Sequence, residues 1–179
     1  MQGFIKKDNI QSFSKLSYDN EHKVVLIEDE RKGYSLDTIA KFLKKKDYTK
    51  DCISSCDMFI INKSKYYFIE FKNQTTQNVN KKKLKFKILP SIMIVANCLL
   101  DNISIADLKE KSELFVVYKN EEKPNFGFDR IKKKQREIAK RDQEDILFEM
   151  ADMKGEFFYD IHTIDQSEFV NNYLDKLYD

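Results

Sequence analysis

The apolar positions of this chain fall into short blocks separated by charged and amide-rich stretches, and their spacing assigns the elements. The clearest pair of blocks lies at 58–61 and 66–71, on either side of the polar tetrad Asn62-Lys63-Ser64-Lys65. Aromatic and β-branched residues flanking a short polar turn predict a β-hairpin. If the turn is centred between Lys63 and Ser64, Ile61 faces Tyr66, Phe59 faces Phe68 and Asp57 faces Glu70. Lys72 lies two residues beyond Glu70 and shares its face of the strand.

The rest of the chain supplies strands and helices in alternation. Residues 24–27 (VVLI) predict a first strand. A helix is expected over 35–46, with Ser35 as its N-cap and Leu36, Ile39, Ala40 and Leu43 as its apolar stripe. Residues 81–100 carry Leu84, Ile88, Ile92, Val95 and Leu99 at helical spacing. Pro90 either kinks this helix or marks where its well-formed part begins. A short helix is a candidate at 103–111. The continuous apolar run 114–118 predicts a strand in a central position. Residues 119–126 read as a loop, 128–153 as one long helix or two shorter ones, and 157–161 as a last strand. Asp165 or Ser167 would cap a final helix containing Phe169, Val170, Tyr173, Leu174 and Leu177. This order predicts an α/β fold: a central mixed sheet that contains an antiparallel hairpin and is flanked by helices.

Composition narrows the picture. At 179 residues, with 4 Gly and 2 Pro and no obvious linker, the chain reads as one domain over 1–179. The longest apolar run, 88–100, includes Pro90, Ser91 and Asn97 and suits a buried helix rather than a membrane span. The first residues lack the apolar core of a signal peptide, and an odd number of cysteines (Cys52, Cys56, Cys98) fits free thiols. A cytoplasmic protein without membrane association is the expectation. Cys52 and Cys56 with His22 or His162 would be a minimal zinc set, but no second Cys pair or His-x₃-His accompanies them, and buried free cysteine is the default. The glycines are isolated, which excludes P-loop and dinucleotide-binding readings, and no G-x-S-x-G elbow is present. His162 follows the predicted 157–161 strand, and a surface or strand-end histidine is expected there rather than a catalytic base.

Net charge is only +2, but it is distributed in blocks. Lys81, Lys82, Lys83, Lys85 and Lys87 form one basic run. Lys132, Lys133 and Lys134 open a second, and acids follow at 142–152. Such blocks suit contacts to nucleic-acid phosphates, and a solvated helix face accounts for either block alone equally well.

The remaining signal is chemical. The hairpin register brings Asp57, Glu70 and Lys72 to one end of a hairpin whose faces are otherwise apolar. Two carboxylates with Cβ atoms about 5 Å apart require a proton or a cation between them. Hard divalent cations are held by such pairs together with substrate phosphate oxygens, and a neighbouring lysine can position water or stabilise developing charge.

At these residues the chain resembles the PD-(D/E)xK nuclease superfamily, restriction-endonuclease-like proteins with many small bacterial and phage members. The pattern reads Asp57, twelve intervening residues, then Glu70-Phe71-Lys72, with Cys56 where the family's proline often stands. The resemblance implies a nuclease-like core over about 35–118 and a C-terminal helix–strand–helix extension over about 128–178. It implies Mg²⁺ or Mn²⁺ held by Asp57 and Glu70, with Lys72 acting on water or on the transition state. The family's further acid would be Asp37, with Glu30 second, and its inward-turned helix residue would be Lys87. The substrate would be nucleic acid, DNA before RNA, with a homodimer or a protein partner allowed. Two other readings stay open: a non-catalytic nucleic-acid-binding or regulatory protein on the same fold, and a protein–protein interaction module.

Overall fold

A computed structural model describes residues 9–45, 53–120 and 146–179. In chain order the elements are β1 (Ile10–Ser12), α1 (Phe13–Leu16), β2 (Tyr18–Asp19), β3 (Val24–Val25), β4 (Lys32–Ser35), α2 (Leu36–Lys45), β5 (Met58–Asn62) and β6 (Lys65–Lys72). There follow α3 (Lys81–Ile94), a π-helical turn (Val95–Leu99), α4 (Ile105–Lys111), β7 (Ser112–Tyr118), a 3₁₀ turn (Ala151–Met153), β8 (Asp160–Asp165) and α5 (Gln166–Asn172). The fold is α/β. Among the described residues, six strands form one mixed sheet in the order β1-β4-β5-β6-β7-β8, and β2 and β3 form a separate two-stranded ribbon. The first four strands of the large sheet pair antiparallel; β6, β7 and β8 run parallel.

The hairpin has the register expected from the pattern: Ile61 opposite Tyr66, Phe59 opposite Phe68, Asn62 opposite Lys65. β7 lies between β6 and β8, which is why its apolar run is continuous. Along β5, β6 and β7 successive side chains alternate between two cores. Phe59, Phe68, Leu114 and Val116 pack under Leu36 and Ile39 of α2 and Leu84, Ile88 and Ile92 of α3. Met58, Ile60, Ile69, Phe115 and Val117 pack on the other side with Phe13, Ile27, Phe169 and Leu174. Caps end the helices as the side-chain chemistry dictates: Asn80 accepts from Lys83 N–H at the start of α3, and Asp165 from Ser167 and Glu168 N–H at the start of α5. Ser35 Oγ accepts from Thr38 N–H at the start of α2.

Several elements depart from expectation. Only Val24 and Val25 of the 24–27 run are in a strand, and that strand belongs to the ribbon; Leu26 and Ile27 are buried in the core instead. The sheet recruits Lys32–Ser35 in its place, a segment with no apolar run. It does so because Gly33 lets the backbones close up: a Cβ at Gly33 would lie 2.7 Å from Met58 Cε and 2.9 Å from the Phe59 carbonyl oxygen. Pro90 sits inside α3 without ending it, and the irregularity comes five residues later as the π-helical turn. The expected last strand shifts from 157–161 to Asp160–Asp165, because Phe158 is drawn into the core against Phe68, ring centroids 5.3 Å apart. Of the helix expected over 128–153, residues 146–153 form turns and one 3₁₀ turn, and the remainder lies outside the described residues.

Candidate functional site

The site grows from the open end of the hairpin. Asp57 immediately precedes β5, and the ladder that pairs Met58 with Ile69 carries it toward Glu70. One oxygen, Asp57 Oδ2, accepts the Phe71 N–H at 2.7 Å, so the side chain completes the ladder where the strand stops. Glu70 lies on the face of β6 that α3 covers, the face otherwise filled by Phe68, Leu114 and Val116, and it is fully buried. Lys72, on the same face, donates to Glu70 Oε1 at 2.5 Å. Lys87 reaches down from α3, donating to Glu70 Oε1 at 2.7 Å and to Asp57 Oδ1 at 3.4 Å. Among the described residues, Glu70 Oε2 is buried with no hydrogen-bond partner.

The placement of Lys87 has a local cause. One turn further along α3, Ser91 Oγ accepts the Cys56 N–H at 2.7 Å and donates to the Lys87 carbonyl at 2.6 Å. This buried serine ties the helix to the residue before Asp57 and so sets the height of Lys87 above the sheet.

Electrostatics follow from burial. Burial raises the Asp57 carboxyl, the neighbouring Glu70 charge raises it further, and Lys87 and the Phe71 N–H oppose them; the result is about 7. For Lys87, burial works against the charge, but the two carboxylates outweigh it and hold the ammonium well above the ordinary lysine range. Burial, then the Glu70 charge, pushes the Cys56 thiol far up, so it is an inert packing group. The cluster therefore holds Lys87 charged and leaves Asp57 poised to gain or lose a proton near neutrality.

The other residues expected at the site are distributed more widely. Asp37, in the first turn of α2, accepts from Ser55 Oγ at 2.6 Å; it is joined to the segment leading into Asp57, not to the carboxylate pair itself. Glu30 is exposed in the loop before β4. Of the first lysine run, Lys87 belongs to the carboxylate centre. Lys81 pairs with Glu149 at 2.8 Å and Lys85 with Asp152 at 3.1 Å, which fastens α3 to the 146–153 segment. Lys82 and Lys83 are exposed. Lys132, Lys133 and Lys134 lie outside the described residues.

Sequence reasoning passed over Ser55 and Ser91. Ser91 left a signal, as a lone hydroxyl within the apolar run 88–95. His162 is not at a strand end but buried within β8, with its ring stacked on Phe115 at 4.5 Å and its Nε2 3.3 Å from Glu113. His22 pairs with Asp19 at the surface. Among the described residues no group of three or more His, Cys, Asp or Glu side chains is assembled, which gives the zinc reading no support there; Cys52 lies outside them. No helix of the described residues is long and apolar enough to cross a membrane.

Comparison with known protein families, with curated proteins and with solved structures finds no match.

Proposed function

We propose that the protein is a metal-dependent nuclease that hydrolyses phosphodiester bonds, in DNA before RNA, and that it works in the cytoplasm. The observation that carries this reading is the meeting of Asp57, Glu70, Lys72 and Lys87 at one end of a buried hairpin, with Glu70 Oε2 a buried acceptor that has no partner among the described residues. A fully buried carboxylate oxygen without a donor is costly to keep, by about 1–3 kcal/mol or more. Cation coordination is one way of satisfying it. Hard oxygen donors on two carboxylates fit Mg²⁺ or Mn²⁺ in type, and Asp57 Oδ1 and Glu70 Oε2 are the atoms that would hold it. Such an ion, when bound, supplies Lewis-acid activation of water and of the phosphoryl oxygen.

The chain's own residues supply the rest. Lys72 places an ammonium at the edge of the site, 18% exposed, where it can orient water or meet charge on a phosphate. Lys87 compensates the carboxylate pair, and Asp57, with a carboxyl at about 7, can take up or release a proton at neutral pH. Glu70→Gln and Lys72→Ala should each reduce Mn²⁺-dependent cleavage of single- and double-stranded DNA by about a hundredfold or more, with far-UV circular dichroism unchanged. Cleavage at the wild-type rate in either variant would overturn the assignment.

One observation favours a second reading. Lys72 and Lys87 already neutralise Glu70 and Asp57 from within the chain, as in a structural ion cluster. A non-catalytic nucleic-acid-binding protein would then show no divalent-cation binding, with or without DNA, while its DNA affinity would still fall steeply with salt.

A further inference from the structure

α3 is apolar on two sides. Its inner stripe is buried, whereas on its outer side Phe86, Leu89 and Met93 are 65%, 52% and 45% exposed. Three large apolar side chains on successive turns of one solvent-facing stripe are unusual and mark an interaction surface. A cavity of about 550 Å³, lined in part by Leu43, Ile53, Pro90 and Met93, opens beside them.

The stripe is self-complementary. Its exposed positions are Lys82, Phe86, Leu89 and Met93, continued by Asn97 in the π-helical turn; Phe86 with Met93, and Lys82 with Asn97, are spaced evenly about the midpoint between Leu89 and Pro90. A second α3 laid antiparallel across that midpoint sets Phe86 against Met93 of the other copy, Leu89 near the axis, and Lys82 against Asn97 of the other copy. Asn97 Nδ2 donates to its own Met93 carbonyl at 2.8 Å, which leaves Oδ1 to accept from Lys82.

Charge selects the antiparallel sense. The first turn of α3 holds Lys81–Lys83 and no acid, and its last turn holds no base. Within one chain that order opposes the helix dipole. In an antiparallel pair the exposed Lys82 and Lys83 of each copy meet the carbonyl end of the other, where Asp101 is exposed. A parallel pair would set lysine against lysine. We infer that α3 is the two-fold, isologous interface of a homodimer of this chain. The inference rests on the outer face of α3 and does not depend on the catalytic reading.

Sedimentation velocity of the full chain tests it, across concentrations from micromolar to hundreds of micromolar. The wild type should reach twice the chain mass. Phe86→Asp, at an exposed position, should weaken association at least about a hundredfold with an unchanged circular dichroism spectrum. Lys82→Glu and Asn97→Lys should each weaken the dimer, and the double variant should restore it, because the two positions face each other across the axis. A wild type that stays monomeric throughout would overturn the inference. So would a dimer indifferent to Phe86→Asp, or a double variant no tighter than either single one.

Discussion

Glu70 shows how one residue changes what its surroundings must supply. Its position on β6 belongs to the face that Phe68, Leu114 and Val116 fill, and an unpaired carboxylate there would cost several kcal/mol. Lys72 and Lys87 offset that cost through Oε1 alone. Asp57 answers to the same charge. Its folded carboxyl lies near 7 against an ordinary 3.8, so between those values the folded chain holds a proton that the unfolded chain has released. This contribution to stability is present at low pH and is lost as pH rises from about 4 to about 7. The same proton competes with any cation. Mn²⁺ affinity, measured calorimetrically, is therefore expected to rise about tenfold per pH unit from 5 to 7 and to level off above; a flat profile would show that Asp57 is not a ligand. Ser91 makes a smaller, separable contribution. Ser91→Ala leaves the Cys56 N–H buried without its acceptor and should lower unfolding free energy in urea by about 1–3 kcal/mol.

At the scale of elements, legibility depended on whether the pattern was local. The hairpin register could be read because two continuous apolar runs flank a polar tetrad, and centring the turn in that tetrad fixes one pairing of the arms. The stripes of α2 and α3 could be read from a period near 3.6. β4 could not, since Lys32-Gly33-Tyr34-Ser35 has no periodicity to find and is a strand only because Gly33 permits close approach to β5. Gly33→Ala should accordingly lower stability by about 1–3 kcal/mol, visible as a reduced melting temperature, because Met58 and the Phe59 carbonyl leave no room for a methyl group. The lysines of α3 divide by face in the same way. Lys87 turns inward to the carboxylates, whereas Lys81 and Lys85 reach Glu149 and Asp152, partners more than sixty residues away that no local pattern announces.

At the scale of the whole molecule, the sheet separates two cores, and the segment before β8 closes one of them. Phe158 is fully buried against Phe68 although it stands outside any strand. Phe158→Ala should cost about 3–5 kcal/mol, a large part of the stability of a typical domain, and an effect below about 1 kcal/mol in denaturant titration would show that this closure is not needed. The amino-acid sequence by itself determined the α/β class, the hairpin and its register, the helix stripes and the convergence of Asp57, Glu70 and Lys72. These depend on side-chain periodicity and on a turn of fixed length, both local properties of the chain. Only the tertiary structure decided that Glu70 is fully buried, that Lys87 reaches both carboxylates, that Ser91 holds it there, and that 32–35 rather than 24–27 joins the sheet. Each of those outcomes depends on which elements pack together, and packing is set by contacts between residues far apart in the chain.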